Sequence, residues 1–108
     1  MKRGEVYWVD FGDPAGVRPA VILTRNAAIE LLSSLTVGPL TTRLRRVRSW
    51  VFVGDQPDLP QDSCINLDGI QSVHKDAVLD RMCELDPDTM KLVGVAVRFA
   101  LELDDPPA

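Results

Sequence analysis

The chain holds one histidine, His74, and only two cysteines, Cys64 and Cys83, with no CxxC pair. That leaves little from which to build a zinc site or a disulfide framework, and the thiol usage fits a reducing cytoplasm. The carboxylates lack the His/Cys spacing of a transition-metal site and form no EF-hand loop, so neither a metal nor another cofactor is expected. A second histidine is missing, which argues against a conventional Cys–His dyad; both thiols read as buried or semi-buried. No apolar run approaches the roughly 20 residues of a membrane-spanning helix, and MKRGEVYW passes straight into a charged strand rather than a signal peptide, so no membrane partner is expected. Repeats and low-complexity tracts are absent as well. What is present is 108 residues, 45% of them hydrophobic and 26% charged. This suits one small domain over 1–108, with 104–108 as a polar tail.

The net charge of -4 counts at first against a polyanionic partner, because phosphate binding rests on Lys and Arg. The distribution says more than the total. Residues 1–48 carry eight basic and four acidic side chains, whereas residues 49–108 carry four basic and twelve acidic ones. A fold that separates the two populations presents a basic stripe beside an acidic surface.

EVYWVDF at 5–11, followed by the turn-rich GDPAG, predicts a first strand and a loop. AVILT at 20–24 predicts a second strand, and Asn26 is placed to cap a short helix over AAIELLSS. LTVGPL at 35–40 predicts a third strand, with a bend or edge position at Pro39, and SWVFVG at 49–54 a fourth. GDQPDLPQD at 54–62 reads as a loop. CINL and IQSV flank Asp68-Gly69, the strongest short hairpin cue, and Asp76 to Arg81 reads as a single helical turn. The last element is a helix with Asp86 as N-cap and Pro87 at its first position, running to about Leu103, with Met90, Val93, Val97, Ala100 and Leu101 as its apolar stripe. Several short strands and a C-terminal helix imply an α+β, mainly β chain: a small antiparallel sheet or partly open barrel.

Three segments carry candidate chemistry. TTRLRRVR at 41–48 places four arginines beside Thr41 and Thr42, suited to phosphate oxygens, although a solvated connection between strands explains it equally well. In GVRPAVIL, Arg18 sits where a loop enters a buried strand, facing either a cleft or a local carboxylate. In DSCINLDGIQSV, alternation sends Asn66 and Asp68 away from Ile65 and Leu67, and an amide with a carboxylate can bind a base edge or handle a proton; Asp68 is equally explained as a turn residue. His74 ranks below Asp68. A metal-free nuclease remains chemically open, since the 2′-hydroxyl of RNA can attack its own phosphate, given a proton acceptor, a proton donor and positive charge.

RGEVYWVDF, GVRPAVILTR, VGPLTTRLRR and LPQDSCINLDGIQSVHK occur in the order and spacing of the MazF/PemK-type toxins of bacterial toxin–antitoxin pairs, which the chain resembles from residue 3 to about 101. The resemblance implies a small antiparallel SH3-like barrel of the CcdB/PemK type with a C-terminal helix and one or two short helices. It implies a cytoplasmic homodimer that acts as a metal-independent, sequence-selective endoribonuclease on single-stranded RNA, leaving a 2′,3′-cyclic phosphate. A MazE-like antitoxin, covering the RNA groove with an extended segment, is the implied partner. Carried over by position, Arg18 stabilises the phosphate, with protonation of the leaving group as a second candidate role, Thr41 holds a phosphate oxygen and Asp68 orients or deprotonates the 2′-hydroxyl. Asn66 and Gln71 are candidates for reading bases, and Thr42, Arg43, Arg45 and Arg46 for phosphate contacts. The sequence departs from the family in its short GDPAG loop and in Asn66, where some members carry an arginine. The rival reading is a CcdB-like toxin that traps DNA gyrase without catalysis; it relies on a terminal tryptophan, whereas this chain ends ELDDPPA and its tryptophans are Trp8 and Trp50. A ribonuclease fold kept only as an interaction module is a third possibility.

Overall fold

A computed structural model describes residues 1–54, 56 and 58–103, so the 104–108 tail and part of the 54–62 loop lie outside the described residues. Seven strands form one antiparallel sheet: β1 (Glu5–Asp10), β2 (Val17–Ile22), β3 (Ser34–Thr41), β4 (Trp50–Phe52), β5 (Cys64–Asn66), β6 (Gln71–His74) and β7 (Val78–Glu84). Their order is β4-β5-β3-β2-β1-β7, with β6 also on β3. Two helices complete the fold, α1 (Asn26–Ile29) and α2 (Pro87–Ala100). This is the antiparallel, mainly β class with a C-terminal helix expected from the sequence.

The apolar run at 20–23 is continuous because both faces of the sheet are covered. Val6, Val21, Leu40, Ile65 and Leu67 join Val93 and Ala96 of α2 in one core, while Val9, Ala20, Ile22, Leu35 and Val37 join Ile29 of α1 in another. Asp86 caps α2 by accepting the Thr89 N–H at 2.7 Å, as its position before Pro87 predicts. Met90, Val97 and Ala100 pack on the first core, but Leu101 is 53% exposed and lies past the helix end, so the buried stripe is completed by Ala96 instead.

Four local expectations are corrected. Asp68-Gly69 does not close a hairpin. Residues Leu67–Gly69 form a 3₁₀ turn, after which β5 and β6 both pair with β3, through Leu40↔Ile65 and Thr41↔Cys64 on one side and Ser34↔His74 to Val37↔Gln71 on the other. Buried Leu67 anchors that turn, and the non-local ladder to β3 outweighs the local turn signal. Asp76 to Arg81 is not a helical turn: a 3₁₀ turn covers Lys75–Ala77, and Val78–Glu84 is the strand that satisfies the second edge of β1. Asn26 does not cap α1, whose N-cap is Arg25; the Asn26 Oδ1 accepts the Arg3 N–H at 2.7 Å and ties the N-terminus down, and the helix stops at Ile29, short of LLSS. Pro39 is not at an edge. It lies in central β3, in the gap where the strand's second partner changes from β6 to β5, so its missing N–H interrupts no regular ladder. Beside it, a Cβ on Gly38 would stand 3.3 Å from Ile65 Cγ2 and 3.4 Å from the Leu23 and Leu67 methyl groups, so the strand passes the core without a side chain there.

Candidate RNA-binding cleft

The C-terminal end of β3 lies beside the start of β2, because β2 and β3 are antiparallel. Arg18, second in β2, and Thr41, last in β3, are thereby brought to one end of the sheet. The pairing Trp50↔Asn66 between β4 and β5 adds two further side chains from the neighbouring strands. Between them opens a cleft of about 320 Å³ lined by Arg18, Thr41, Arg43, Arg45, Trp50 and Asn66 together with Pro39 and Leu40.

Among the described residues, three guanidinium groups and no carboxylate or imidazole line this cleft. None of Arg18, Arg43 and Arg45 forms an ion pair with a described carboxylate. Arg18 Nε donates to the Ala15 carbonyl at 3.0 Å, which orients the fork and leaves its terminal N–H groups available. The short GDPAG loop therefore steadies Arg18 directly. Thr41 Oγ1 accepts the Arg43 N–H at 3.1 Å, so its hydroxyl hydrogen remains to be donated to an incoming oxygen. The arrangement is a donor-only anion cradle, suited to a phosphodiester and to the extra charge of a pentavalent phosphorus.

The remaining sequence candidates fall elsewhere. Asp68 is exposed but does not line the cleft, since its Oδ2 accepts the Ser49 hydroxyl at 2.6 Å. Ser49 is buried and its carbonyl accepts the Leu67 N–H at 2.9 Å, so the pair clamps the end of the arginine segment to the 3₁₀ turn. Gln71 is exposed on β6, opposite Val37, outside the cleft. Thr42 is exposed, and Arg46 lines a neighbouring recess with Leu44, Phe52, Cys64 and Arg45, the last shared with the cleft. His74 pairs with Ser34 at the far end of β3, about 23 Å from Thr41 along the strand, and its Nδ1 accepts the Asp76 N–H at 3.1 Å. Cys64 and Cys83 are free and buried, and burial pushes the Cys83 thiol up, away from thiolate chemistry. Among the described residues no three His, Cys, Asp or Glu side chains gather, and no helix is long and apolar enough to cross a membrane.

Trp50 is the residue that sequence reasoning missed. Its ring lies 5.4 Å from the Arg45 guanidinium carbon, and it borders both the cleft and the exposed face of α2. The available signal was an aromatic two positions after an arginine run, since aromatic and guanidinium planes together suit unstacked bases.

Comparison with known proteins places this geometry. The probable endoribonuclease MazF5 of Mycobacterium tuberculosis is 35% identical over 102 residues, covering 93% of this chain and 92% of its own length. Endoribonuclease MazF4 of the same species is 34% identical over 104 residues, covering 96% and 95%. Among solved structures, an endoribonuclease in complex with its cognate antitoxin from a mycobacterial species superposes with a TM-score of 0.87 at 32% identity, covering 98% of this chain and 99% of that one. Residues 2–101 match the family described as PemK-like, MazF-like toxins of type II toxin–antitoxin systems. Over nearly all its length, in sequence and in fold, the chain belongs to that family.

Proposed function

We propose that this chain is the toxin of a type II toxin–antitoxin pair and that it cleaves single-stranded RNA in the cleft between Arg18, Thr41 and Asn66. The observation that carries the reading is the lining itself: three guanidiniums, one free hydroxyl donor and an amide, with no acid among them. Such a site attracts a phosphodiester and favours the charge that builds up as the 2′-oxygen attacks phosphorus. Arg18 faces that charge, Thr41 donates to a non-bridging oxygen, and Arg43 and Arg45 hold the adjoining phosphates. The P–O5′ bond breaks, guanidinium N–H groups hydrogen-bond the departing oxygen while it takes a proton from water, and a 2′,3′-cyclic phosphate and a 5′-hydroxyl are left. The proton of the 2′-hydroxyl passes to solvent hydroxide, because no described carboxylate or imidazole lines the cleft to take it. Asp68 is then a positioning residue, acting through Ser49 on the arginine segment.

Leu92, Val95 and Phe99 of α2 and Phe52 of β4 are 58%, 64%, 41% and 53% exposed, an apolar face that supports a homodimer. Trp50 ties this face to the cleft, so two clefts in a dimer adjoin across it. The antitoxin bound to the mycobacterial relative supports a short antitoxin as physiological partner, and the two free cysteines support the cytoplasm as the place of action. Arg18→Ala and Thr41→Val, assayed on a long single-stranded RNA, are expected to lose about 10²- to 10³-fold in rate, as loss of one preorganised donor does. Arg46→Ala should retain activity. Cleavage unaffected by both cleft variants would sink the reading.

A further inference from the structure

Trp50 and Asn66 are register partners on adjacent strands, and both line the cleft, so their side chains share one face of the sheet. Asn66 Oδ1 accepts two backbone donors, the Asp68 N–H at 3.0 Å and the Gly69 N–H at 3.2 Å. Two N–H groups aimed at one atom identify that atom as the oxygen, and the amide cannot flip without losing both. Its Nδ2 donates to no described residue, so what Asn66 offers a ligand is hydrogen-bond donors alone. Trp50 is half-buried, with one observed ring partner, the Arg45 guanidinium.

We propose that Trp50 and Asn66 form a recognition site for a single unpaired nucleobase, which stacks on the indole and turns an exocyclic carbonyl toward Asn66 Nδ2. The carbonyl meant is O4 of uracil or O6 of guanine; at the corresponding positions cytosine and adenine carry amino groups, which cannot accept from Nδ2, and the remaining carbonyl of cytosine, O2, lies next to its glycosidic bond. A base entering the site exchanges the Arg45 guanidinium for its own ring and releases Arg45 to a phosphate. The exchange is favourable because base–indole stacking exceeds an exposed cation–π contact. The 3₁₀ turn at Leu67–Gly69 thus has a chemical consequence: by engaging the Asn66 oxygen it sets the polarity of the amide. This inference rests on the cleft being the RNA site.

The test uses the full chain and short RNAs carrying uracil, guanine, adenine or cytosine at each position beside the mapped cleavage site. Trp50→Leu should raise KM about tenfold with kcat changed by less than about twofold, and Trp50→Phe should keep most of the affinity. Asn66→Asp keeps an oxygen for both turn N–H groups but deletes the donors. It should abolish the preference for uracil or guanine over adenine and cytosine at one position, whatever its added charge does to all four RNAs alike. In a Trp8→Phe chain Trp50 is the sole tryptophan, and its emission should be quenched by an RNA made uncleavable with a 2′-deoxy sugar at the scissile linkage. If the unaltered protein cleaves RNA while Trp50→Leu keeps its KM, Trp50 emission stays unchanged, or Asn66→Asp keeps the base preference, the recognition site is overturned and the ribonuclease reading stands. If the unaltered protein cleaves none of these RNAs nor a long mixed-sequence one, the ribonuclease reading falls and takes this inference with it.

Discussion

Salt should weaken RNA binding by an amount that the cleft itself sets. Three guanidiniums line it, none paired with a described carboxylate, so three phosphate contacts release three condensed counterions. For single-stranded RNA the slope of log affinity against log salt is about -0.7 per contact, giving about -2.1 for one cleft and an affinity loss of about 18-fold between roughly 50 and 200 mM salt. Removing Arg43 or Arg45 should lower the slope to about -1.4 and the loss to about sevenfold. The assay is titration of a four-nucleotide RNA, short enough for one cleft and deoxy-substituted at the scissile linkage, by fluorescence anisotropy across salt concentrations. Arg46→Ala is the internal control, since Arg46 is not among the residues lining the cleft. A slope near zero in the unaltered protein would refute the phosphate cradle. An equal drop in slope for Arg46→Ala would refute the assignment of particular arginines to it, and would mean that the segment at 43–48 acts as a diffuse positive field.

Further consequences follow from other parts of the fold. With no carboxylate or imidazole of the described residues lining the cleft, the logarithm of kcat should rise by about one unit per pH unit between about pH 6 and 8; a plateau with an acidic limb in the carboxylate range would contradict this and return Asp68 to the chemistry. Burial raises the Glu5 carboxyl pKa, but hydrogen bonds from Arg81, the Lys2 N–H and Tyr7 outweigh it and hold the group below the usual range. Because the folded value is the lower one, Glu5 stabilises the fold above the unfolded pKa, and this is lost as pH falls through the glutamate range and the folded value. Glu5→Gln should therefore show a shallower loss of melting temperature in acid, and an unchanged acid slope would refute the assignment. Leu67→Ala removes a fully buried side chain from the turn that carries Asn66; it should cost about 3 kcal/mol in denaturant unfolding and reduce RNA cleavage, whereas a loss below about 1 kcal/mol would show the turn is not anchored there. Phe99→Glu places a charge on the exposed face of α2 and should yield a monomer by light scattering, and a persisting dimer would place the interface elsewhere.

Arg18 and Thr41 were legible because each stands at the end of an apolar run, where a strand delivers its side chain to the sheet rim. Asn66 was legible from strand alternation, but its second task as the acceptor at the 3₁₀ turn was not, because that depends on Leu67 entering the core. Trp50 and the separation of Asp68 from the cleft were hidden for a related reason. Both follow from pairing between β4 and β5 and from the Ser49–Asp68 hydrogen bond, contacts that link residues 12 or more positions apart and leave no periodicity in the chain. The Asp-Gly pair shows the same contest at fold level, since its local hairpin tendency loses to the ladder that β3 offers to both flanking strands. Strand β7 was missed because only Cys83 of its seven residues is buried, so no alternation marks it. Charge was legible in part: the basic half of the sequence supplies Arg18, Arg43 and Arg45 to one cleft, while Arg46 from the same run goes elsewhere.

The central claim is that this cleft cleaves RNA by using the substrate's own 2′-hydroxyl. Its most direct test is incubation of the purified chain with a long single-stranded RNA in excess EDTA, followed by end-group analysis of the fragments. Cleavage is expected at a restricted set of sequences, with a 2′,3′-cyclic phosphate on one fragment and a 5′-hydroxyl on the next. Fragments ending in 3′-hydroxyl and 5′-phosphate, or intact RNA with and without divalent metal, would contradict it.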